Sequence, residues 1–317
     1  MDHIPFFPER ASTIASQIDG IYFMWLALSG VVALAIVVLI LYFSIKYHEG
    51  SKADRRVIAD AATQERRMHR IEIAWIAIPL VLFTGMFAWS AEVFYQGATV
   101  PPDALPVYVV GKQWMWHLEH PSGQREIGEL HVPIGRPVEL VMTSQDVIHS
   151  FSIPAFRVKQ DVLPGRYTTL WFTATRPGEY HLFCTQYCGT SHSQMVGRVI
   201  AMEPAAYASW LSATAGTPTM AARGAVRFRQ FGCSGCHGAN ATVRAPSLEG
   251  LFGKPVPLKD GRSMIADERF IRDSILLPNR DVPAGYEATM PSFRGQIGEE
   301  ELLEIVEYVK SIGNVTQ

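Results

Sequence analysis

The sequence lacks an excess of charge of either sign. Its 28 lysine and arginine residues nearly balance 30 aspartate and glutamate residues, which gives a net charge of −2 at pH 7. The balance is also local, because residues 93–218 carry 8 basic and 9 acidic side chains and residues 219–317 carry 12 of each. A nucleic-acid partner would require a basic face. We therefore expect no nucleic acid to bind this chain.

Cysteine is scarce, and every cysteine belongs to a short motif. The four cysteines fall into two short spacings, with Cys184 and Cys188 in C-x3-C and Cys233 and Cys236 in C-x-x-C-H. Such short spacings are typical of metal or haem attachment. They argue against a disulfide framework, even for a domain outside the cytoplasm.

Charge is missing altogether from two long apolar runs, Gly20 to Ile45 and Ile73 to Ala91. A membrane-spanning helix needs about 20 mostly apolar residues, so each run can cross a bilayer. The alternative is a pair of buried core helices in a soluble protein, although such helices rarely exclude charge for so long.

The charges beside these runs predict their orientation. Seven basic residues lie between the runs, from Lys46 to Arg70, whereas Arg10 alone precedes them. The positive-inside rule then puts that loop in the cytoplasm, and both termini and everything after Glu92 outside. The N-terminal tail lacks a basic n-region, and no A-x-A-like cleavage site follows the first run, so we expect an uncleaved anchor.

The middle of the chain predicts a small all-β sandwich or barrel. Val93 to Pro106 contains three prolines and is expected to be a linker. Short apolar or alternating runs, separated by glycine and proline, then continue to an end near Leu211. These runs are Val107–Val110, Val138–Met142, Thr168–Phe172 and Val196–Ala201. A flexible linker, S-A-T-A-G-T-P, follows.

The C-terminal region predicts a small helical domain. One helix is expected from Met220 to Phe231, capped by Thr219, and another from Glu299 to Ile312, where apolar residues recur at helical spacing. The predicted domains are 1–100 for the tail and two spans, 101–212 for the β domain, and 213–317 for the linker and helical domain.

The stretch C-T-Q-Y-C-G-T-S-H-S-Q-M predicts a metal site. It offers two thiols, an imidazole and a thioether from Cys184, Cys188, His192 and Met195. A Cys2His2 zinc site would leave the thioether without a role, whereas copper electron-transfer centres use methionine. Two thiolates can also bridge a pair of copper ions, each of which then needs a histidine.

The second histidine must come from outside this loop. His149, at the edge of a β-run, is the best placed. His181 lies closer in sequence, in the apparent strand G-E-Y-H-L-F, but no ligand spacing singles it out, and we interpret it as structural.

The C-S-G-C-H motif predicts covalently bound haem c. Cys233 and Cys236 would bond to the haem vinyl groups, and His237 would bind the iron. An electron carrier of this kind commonly takes a methionine as sixth ligand. Met290, in T-M-P-S-F, is favoured over Met264, which is interpreted more simply as a core residue.

Residues 1–211 resemble subunit II of haem-copper cytochrome c oxidases. The resemblance rests on G-K-Q-W-M-W from Gly111, S-Q-D-V-I-H-S-F from Ser144, D-V-L-P-G-R from Asp161 and the C-x3-C-x3-H-x2-M loop. It implies a binuclear CuA centre with ligands His149, Cys184, the carbonyl of Gln186, Cys188, His192 and Met195. Gln186 replaces the glutamate usual in the family, which puts a neighbouring magnesium site in doubt.

The resemblance also implies roles for residues outside the copper loop. Trp114 and Trp116 would belong to an aromatic patch where electrons from cytochrome c enter, although Trp116 could equally pack a β-core. Glu72 matches a glutamate at the mouth of a proton-uptake channel in subunit I, or is a plain interfacial residue. In the haem region, T-M-P-S-F resembles a distal-ligand segment, and Pro246 resembles the proline whose carbonyl orients the proximal imidazole.

A cytochrome c fused to subunit II is the mark of caa-type oxidases. The implied fold is a two-helix transmembrane hairpin, an all-β cupredoxin-like Greek-key barrel and an all-α class I cytochrome c domain. The implied function is electron transfer from a cytochrome c or a cytochrome-containing complex, through haem c and CuA, to subunit I. There, oxygen is reduced to water with proton pumping.

The expected setting is the bacterial inner membrane, in contact with lipid and with subunit I and subunit III, and with both cofactor domains periplasmic. The main alternative is a subunit of a nitric oxide or nitrous oxide reductase. A membrane-anchored copper carrier is a further alternative. A quinol oxidase subunit is disfavoured, because it would have lost these copper ligands.

Overall fold

The structure is a computed structural model that describes residues 7–53, 61–213, 218–238, 241 and 245–313. The chain divides into two units, one formed by residues 14–99 and the other by the first 13 residues together with residues 100–317. Part of the basic loop and part of the S-A-T-A-G-T-P linker, residues 54–60 and 214–217, lie outside the described residues.

The first unit consists of two long helices, α1 (Thr13–Lys46) and α2 (Ala61–Ala98). Both are long and apolar enough to cross a membrane. None of the most apolar window of α1 is buried, and only 6% of that of α2 is. A core helix of a soluble protein would be mostly buried, so the exposed apolar surface favours two membrane spans.

Helix α2 corrects one boundary of the sequence analysis. The residues from Val93 to Ala98 belong to this helix rather than to a linker, and the first strand begins at Leu105. No proline occurs in the helix after Pro79 until Pro101 follows its end, so nothing stops the helix at residue 93. The connection is therefore six residues long, from 99 to 104.

The second unit begins with a sandwich of two five-stranded sheets, which corresponds to the predicted cupredoxin-like barrel. The first sheet has the order β3-β2-β1-β5-β8, and the second has the order β4-β10-β9-β6-β7. The strands are β1 (Leu105–Lys112), β2 (Met115–Glu119), β3 (Arg125–Ile127), β4 (Glu129–Pro133), β5 (Pro137–Ser144), β6 (His149–Ile153), β7 (Val158–Val162), β8 (Thr168–Thr173), β9 (Gly178–Cys184) and β10 (Val196–Met202).

Pairs of strands distant in sequence close the sandwich. Strand β1 pairs parallel with β5, and β10 pairs parallel with β4, while the other pairs are antiparallel. The inner faces bury large apolar side chains, among them Trp116, Phe151, Phe172 and Leu182. The four predicted runs lie within β1, β5, β8 and β10, because alternation over a half-buried sheet is a local signal.

A helix that the sequence analysis missed follows the sandwich. Helix α3 (Pro204–Ala213) begins with proline at its first position, a common helix start. The predicted end of the β domain, near Leu211, falls inside this helix. The local signal was therefore present in Pro204 and the alanine-rich stretch behind it.

The C-terminal domain, called here the helical domain, contains α4 (Met220–Gln230), α5 (Ser234–His237), α6 (Glu268–Leu276) and α7 (Glu299–Ser311). A two-stranded hairpin, β11 (Pro255–Pro257) and β12 (Ser263–Ile265), adds strand structure to the domain that was expected to be all-α. Helix α4 begins as predicted, with the Thr219 hydroxyl accepting from the Ala222 N–H at 3.1 Å.

Helices α4 and α7 cross closely at Gly224. A Cβ atom at this position would overlap the carbonyl oxygen of Glu304, so any larger residue would force the helices apart. Glycine therefore sets the distance of this crossing, and the crossing fixes the frame of the helical domain.

Candidate metal and haem centres

The loop from residue 184 to residue 195, called here the copper loop, connects β9 to β10. Cys184 is the last residue of β9, and Met195 directly precedes β10. The two strands pair at Phe183 and Val196, and the Cys184 N–H donates to the Met195 carbonyl at 3.1 Å. The ladder fixes both ends of the loop, so its side chains fold back on one another.

The sulfur and imidazole groups of the copper loop form one cluster. The Sγ atoms of Cys184 and Cys188 lie 3.8 Å apart, and Cys188 Sγ lies 3.4 Å from His192 Nδ1 and 3.8 Å from Met195 Sδ. Ligands bonded at about 2.0–2.3 Å to one tetrahedral metal lie about 3.3–3.8 Å apart. The donor atoms therefore fit shared metal ions without movement of the backbone.

His149 joins this cluster from the neighbouring strand β6. Phe151 pairs with Cys184 across the β6–β9 ladder, which brings His149 Nδ1 to 3.9 Å from Cys184 Sγ. The imidazole is fully buried. The ladder thus supplies the second histidine that the motif spacing required, from a position 35 residues away in sequence.

Asp146 orients His149, and the sequence analysis missed this role. Its Oδ1 lies 2.8 Å from His149 Nε2, which leaves Nδ1 directed at the thiols. Partial burial raises the pKa of Asp146, but the Gln113 N–H and the His149 ring outweigh burial and lower it overall. A carboxylate behind a ligand histidine is a recurrent feature of metal sites, so the short spacing D-V-I-H was the available signal.

The two thiols differ in their tendency to ionise. Burial disfavours the Cys184 thiolate, yet hydrogen bonds with His149 and the Ser150 backbone outweigh burial and lower its pKa. Burial and the adjacent Cys184 charge both raise the pKa of Cys188. Two thiolates side by side therefore need a cationic partner, as bound copper would be.

Residues of the β1–β2 turn hold the copper loop in place. The Gln113 side-chain amide and the Trp114 indole N–H both donate to the Cys188 carbonyl, at 2.8 and 3.1 Å. Gly189 adopts a positive φ of 117°, and a Cβ there would lie 2.8 Å from Gln113 Nε2. The turn and the loop thus approach too closely for a larger residue at position 189.

The two tryptophans of the G-K-Q-W-M-W motif have different environments. Trp114 is half-buried beside the copper loop, whereas Trp116 is fully buried in the sandwich. The Trp116 ring lies edge-to-face with His149, with 5.9 Å between centroids, and packs against Phe151. Trp116 therefore has the environment of a core residue and also contacts a candidate copper ligand.

The side chains of His181 and Gln186 are not part of this cluster. The side chain of His181 is exposed on β9 and stacks on Phe183. The Gln186 side chain is also exposed, while its carbonyl oxygen lies 3.3 Å from Cys184 Sγ. Glu72 lies on α2 with 67% of its side chain exposed, 4.0 Å from His69.

A second cluster of possible ligands surrounds Glu126. Its carboxylate binds His120 at 2.9 Å and also His131, while Glu129 is paired with Arg198. Burial opposes ionisation of Glu126, but these histidine contacts lower its pKa overall. These groups satisfy one another, and Tyr207 of α3 contacts His120, so the cluster fastens α3 to the sandwich.

The C-S-G-C-H motif forms the one-turn helix α5, shortly after α4. Its residues Cys233, Cys236 and His237 are half-buried, and His237 Nδ1 lies 3.0 Å from the Pro246 carbonyl oxygen. This hydrogen bond leaves Nε2 of His237 for an iron ion, and the carbonyl fixes the ring orientation. The residues present therefore fit a covalently attached haem.

Met290 and Met264 pack against different apolar clusters. Met290 and Cys233 both pack on the cluster that includes Ile305 and Val306 of α7. Met264 packs instead on a smaller cluster around the β11–β12 hairpin. Only Met290 of these two therefore shares an apolar environment with the attachment motif.

Comparisons with known proteins agree with these two sites. Residues 124–202 match the family model "Cytochrome C oxidase subunit II, periplasmic domain", and residues 221–313 match the model "Cytochrome c". The first model implies CuA-type copper in the sandwich, and the second implies haem c in the helical domain.

Curated relatives carry the same description over most of their length. Cytochrome c oxidase subunit 2 of Synechocystis sp. is 30% identical over 259 residues, or 67% of this chain and 76% of the relative. The subunit 2 of Cereibacter sphaeroides is 29% identical over 250 residues, 66% of this chain and 80% of the relative. Among solved structures, the periplasmic domain of cytochrome oxidase subunit II of Bradyrhizobium japonicum is 31% identical and covers 36% of this chain and 96% of its own, with a TM-score of 0.35.

Proposed function

The chain belongs to the cytochrome c oxidase subunit II family, and from this premise we propose that it carries electrons from an external donor through haem c and binuclear CuA to subunit I. The observation that supports this route most strongly is the cluster of two thiols, two imidazoles and a thioether around the copper loop, in which all groups except the half-buried His192 are buried. Such a soft donor set suits copper electron-transfer centres.

The general role of the chain in the oxidase follows from its family. The chain is the electron-entry subunit of a terminal oxidase and associates with subunit I in a haem-copper oxidase complex. Oxygen is reduced by the complex. The nitric oxide or nitrous oxide reductase reading is not favoured, because the relatives are oxidase subunits.

For the copper centre, we assign as ligands His149, Cys184, Cys188, His192 and Met195, with the carbonyl of Gln186. Bound copper supplies reversible one-electron chemistry there. The chain's own residues exclude water from the thiols, orient His149 through Asp146 and hold the loop through the Cys188 carbonyl. These contacts would hold the ligands in a fixed geometry around the metal.

For the haem, we assign Cys233 and Cys236 to covalent attachment, His237 to the proximal position and Met290 to the distal one. The shared apolar cluster of Cys233 and Met290 supports this choice over Met264. Haem c supplies one-electron chemistry at a potential that methionine ligation raises. The Pro246 carbonyl keeps the His237 ring in one orientation.

We further propose that the chain has both termini and both cofactor domains on the periplasmic side of a bacterial inner membrane. The basic residues between the two apolar helices support this topology. Subunit III and a cytochrome-type donor are proposed partners. Trp114, which touches the copper loop, is the proposed entry point, and Trp116 would act from the core behind it.

A role for Glu72 is a further proposal. Glu72 is proposed to stand at the mouth of a proton-uptake path, on the basis of its position at the start of the second apolar run. We assign no magnesium ligand to this chain, because Gln186 offers an exposed amide where the family has a carboxylate.

The test is the metal and haem content of the complex purified from its native membrane. We expect two copper ions and one covalent haem in this chain, beside subunit I. Cys188→Ser should lose the copper and keep the haem, since the two sites share no residue. A Cys188→Ser complex with wild-type copper content, or a chain without covalent haem, would contradict the assignment.

A further inference from the structure

The outer face of the first sheet is covered by the helical domain. Tyr108, Val110 and Val141 of this face form one buried cluster with Met220 and Leu303 of the helical domain. Met220 is fully buried, and Tyr108 and Leu303 are 1% and 2% exposed. An apolar centre of this kind excludes water and is typical of lasting rather than transient contacts.

A charge network surrounds this apolar centre. Glu304 of α7 is only 2% exposed, and it accepts hydrogen bonds from Arg125 of β3 at 2.6 Å and from Arg223 of α4 at 2.8 Å. Arg125 and Arg223 also both pair with Glu119 of β2. Removing one member would leave a buried charge without its partner, which is strongly unfavourable.

The far end of α7 makes a second set of polar contacts with the same sheet. The Tyr108 hydroxyl donates to Glu307 at 2.9 Å, and Lys310 donates to the Tyr108 oxygen at 2.8 Å. Arg272 of α6 reaches the Gly165 carbonyl at 2.6 Å. The contact therefore extends over the length of α7 and involves two other helices.

The two faces of α7 serve different purposes. Leu303, Glu304 and Glu307 face the sheet, whereas Leu302 and Ile305 belong to the cluster that Cys233 and Met290 contact. Because residues three and four apart share one helix face, these two sets lie on opposite sides of the helix. Cys233 and Met290 therefore lie on the side of α7 that faces away from the sandwich.

The chain segment between the two domains is held at both ends. The Gln124 side-chain amide donates to the Leu211 carbonyl at 2.5 Å, and the Met220 N–H donates to the Pro121 carbonyl at 3.2 Å. The donor Gln124 and the acceptor Pro121 both belong to the turn between β2 and β3. This turn restricts the start of the helical domain to one place.

From these contacts we infer that the helical domain is permanently docked on the outer face of the first sheet, through α7, with its haem side turned outward. The partner of this docking surface is the chain's own helical domain. Arg125, Glu119 and Glu304 position the helical domain on the sheet. The helical domain is thus a fixed part of the electron-entry unit and not a tethered shuttle. The inference rests on the proposed function only for the identity of the cofactor.

Hydroxyl-radical footprinting of the native complex tests this docking. Met220 should be protected to the same degree as Met142, which is buried in the sandwich core, while Met115, which is 40% exposed, is oxidised readily. High salt should leave the protection of Met220 unchanged, because the apolar centre is uncharged and the buried Glu304 is screened poorly. Oxidation of Met220 at the rate of Met115 in the wild-type complex would overturn the inference.

Arg125→Glu opens the interface by charge reversal, and Arg198→Glu is its matched control. Both arginines are about half exposed and pair with two glutamates, but Arg198 lies on the second sheet, away from the helical domain. We expect Met220 oxidation to rise about tenfold in Arg125→Glu, the factor that about 1.4 kcal/mol produces. It should not rise in Arg198→Glu, and Met142 should stay protected in both.

An equal response of the two variants would contradict the role of Arg125. Copper and haem contents, measured in the same samples, separate this inference from the proposed function. A wild-type complex that lacks either cofactor yet protects Met220 would contradict the proposed function and leave the docking intact.

Discussion

The Sγ atoms of Cys184 and Cys188 lie 3.8 Å apart, far beyond the bonded distance of about 2.05 Å in a disulfide. At this separation, two copper ions, if bound, could each be bonded to both sulfurs. The His149 ring lies beside Cys184, and the His192 ring lies beside Cys188. The arrangement places one imidazole beside each thiol, so a pair of copper ions held there would each have a histidine.

Asp146→Asn should weaken copper binding without removing a ligand. The amide keeps the size of the carboxylate but loses the charge that supports the His149 ring at 2.8 Å. Loss of such an outer partner lowers metal affinity about 10- to 100-fold. Copper competition with a chelator measures the change. Asp103→Asn, an exposed position of the same residue type, should behave as the wild type, and equal affinities for both variants would refute the role of Asp146.

Met290→Ala should convert the haem to a form that binds exogenous ligands such as carbon monoxide, because the iron loses its sixth ligand. Met264→Ala is the matched control, since Met264 packs on the separate hairpin cluster. It should keep the low-spin spectrum. Absorption spectra of both reduced variants decide between them. A low-spin Met290→Ala with a ligand-binding Met264→Ala would transfer the distal role to Met264.

Gly224→Ala should destabilise the helical domain. The new Cβ would overlap the Glu304 carbonyl, and overpacking of this kind costs about 1–3 kcal/mol, more than the helix propensity gained. Gly30→Ala in α1 is the control, because no atom outside its own helix lies within 4 Å of the new Cβ. Thermal unfolding followed at the haem absorbance should detect the loss in Gly224→Ala alone. A wild-type midpoint for Gly224→Ala would show that the helices cross less closely.

Glu139→Gln should stabilise the chain at neutral pH. Burial first, and then the charge of Glu268, raise the pKa of Glu139 above its ordinary value of 4.5, while Lys310 partly offsets them. A raised carboxyl pKa means that the folded state binds the proton more tightly, so stability falls as the pH rises through this window. The gain from glutamine should therefore be full at neutral pH and vanish near pH 4, where both side chains are neutral.

Thermal unfolding at several pH values measures this gain. The same substitution at an exposed position, Glu203→Gln, provides the control. A stabilisation by Glu139→Gln that persists unchanged at low pH would contradict the electrostatic explanation.

The sequence predicted those features that local patterns encode. Charge-free length identified α1 and α2, alternation identified four strands, and the spacing of Cys184, Cys188, His192 and Met195 predicted the cluster that these four side chains form. The carbonyl contact between His237 and Pro246 lies within nine residues and was also anticipated. In each case, the residues that interact are close in the chain or repeat with a fixed period.

Contacts between residues far apart in the sequence could not be predicted. Arg125 and Glu304 are 179 residues apart, and nothing in either segment identifies the other as its partner. The charges of residues 93–218 and of residues 219–317 are each balanced, because both domains contribute acids and bases to the network. Net charge therefore gave no sign of this contact. Helix α3 and the role of Asp146 were missed for a different reason, since their local signals were present but were not used.

The electron paramagnetic resonance spectrum of the oxidised native complex tests the central claim most directly. If Cys184 and Cys188 bridge two copper ions, the unpaired electron is shared, and the copper hyperfine splitting should be that of two equivalent nuclei. Cys184→Ser should abolish this pattern while the haem signal persists. A splitting from a single copper nucleus in the wild-type complex, or an unchanged pattern in Cys184→Ser, would contradict the account.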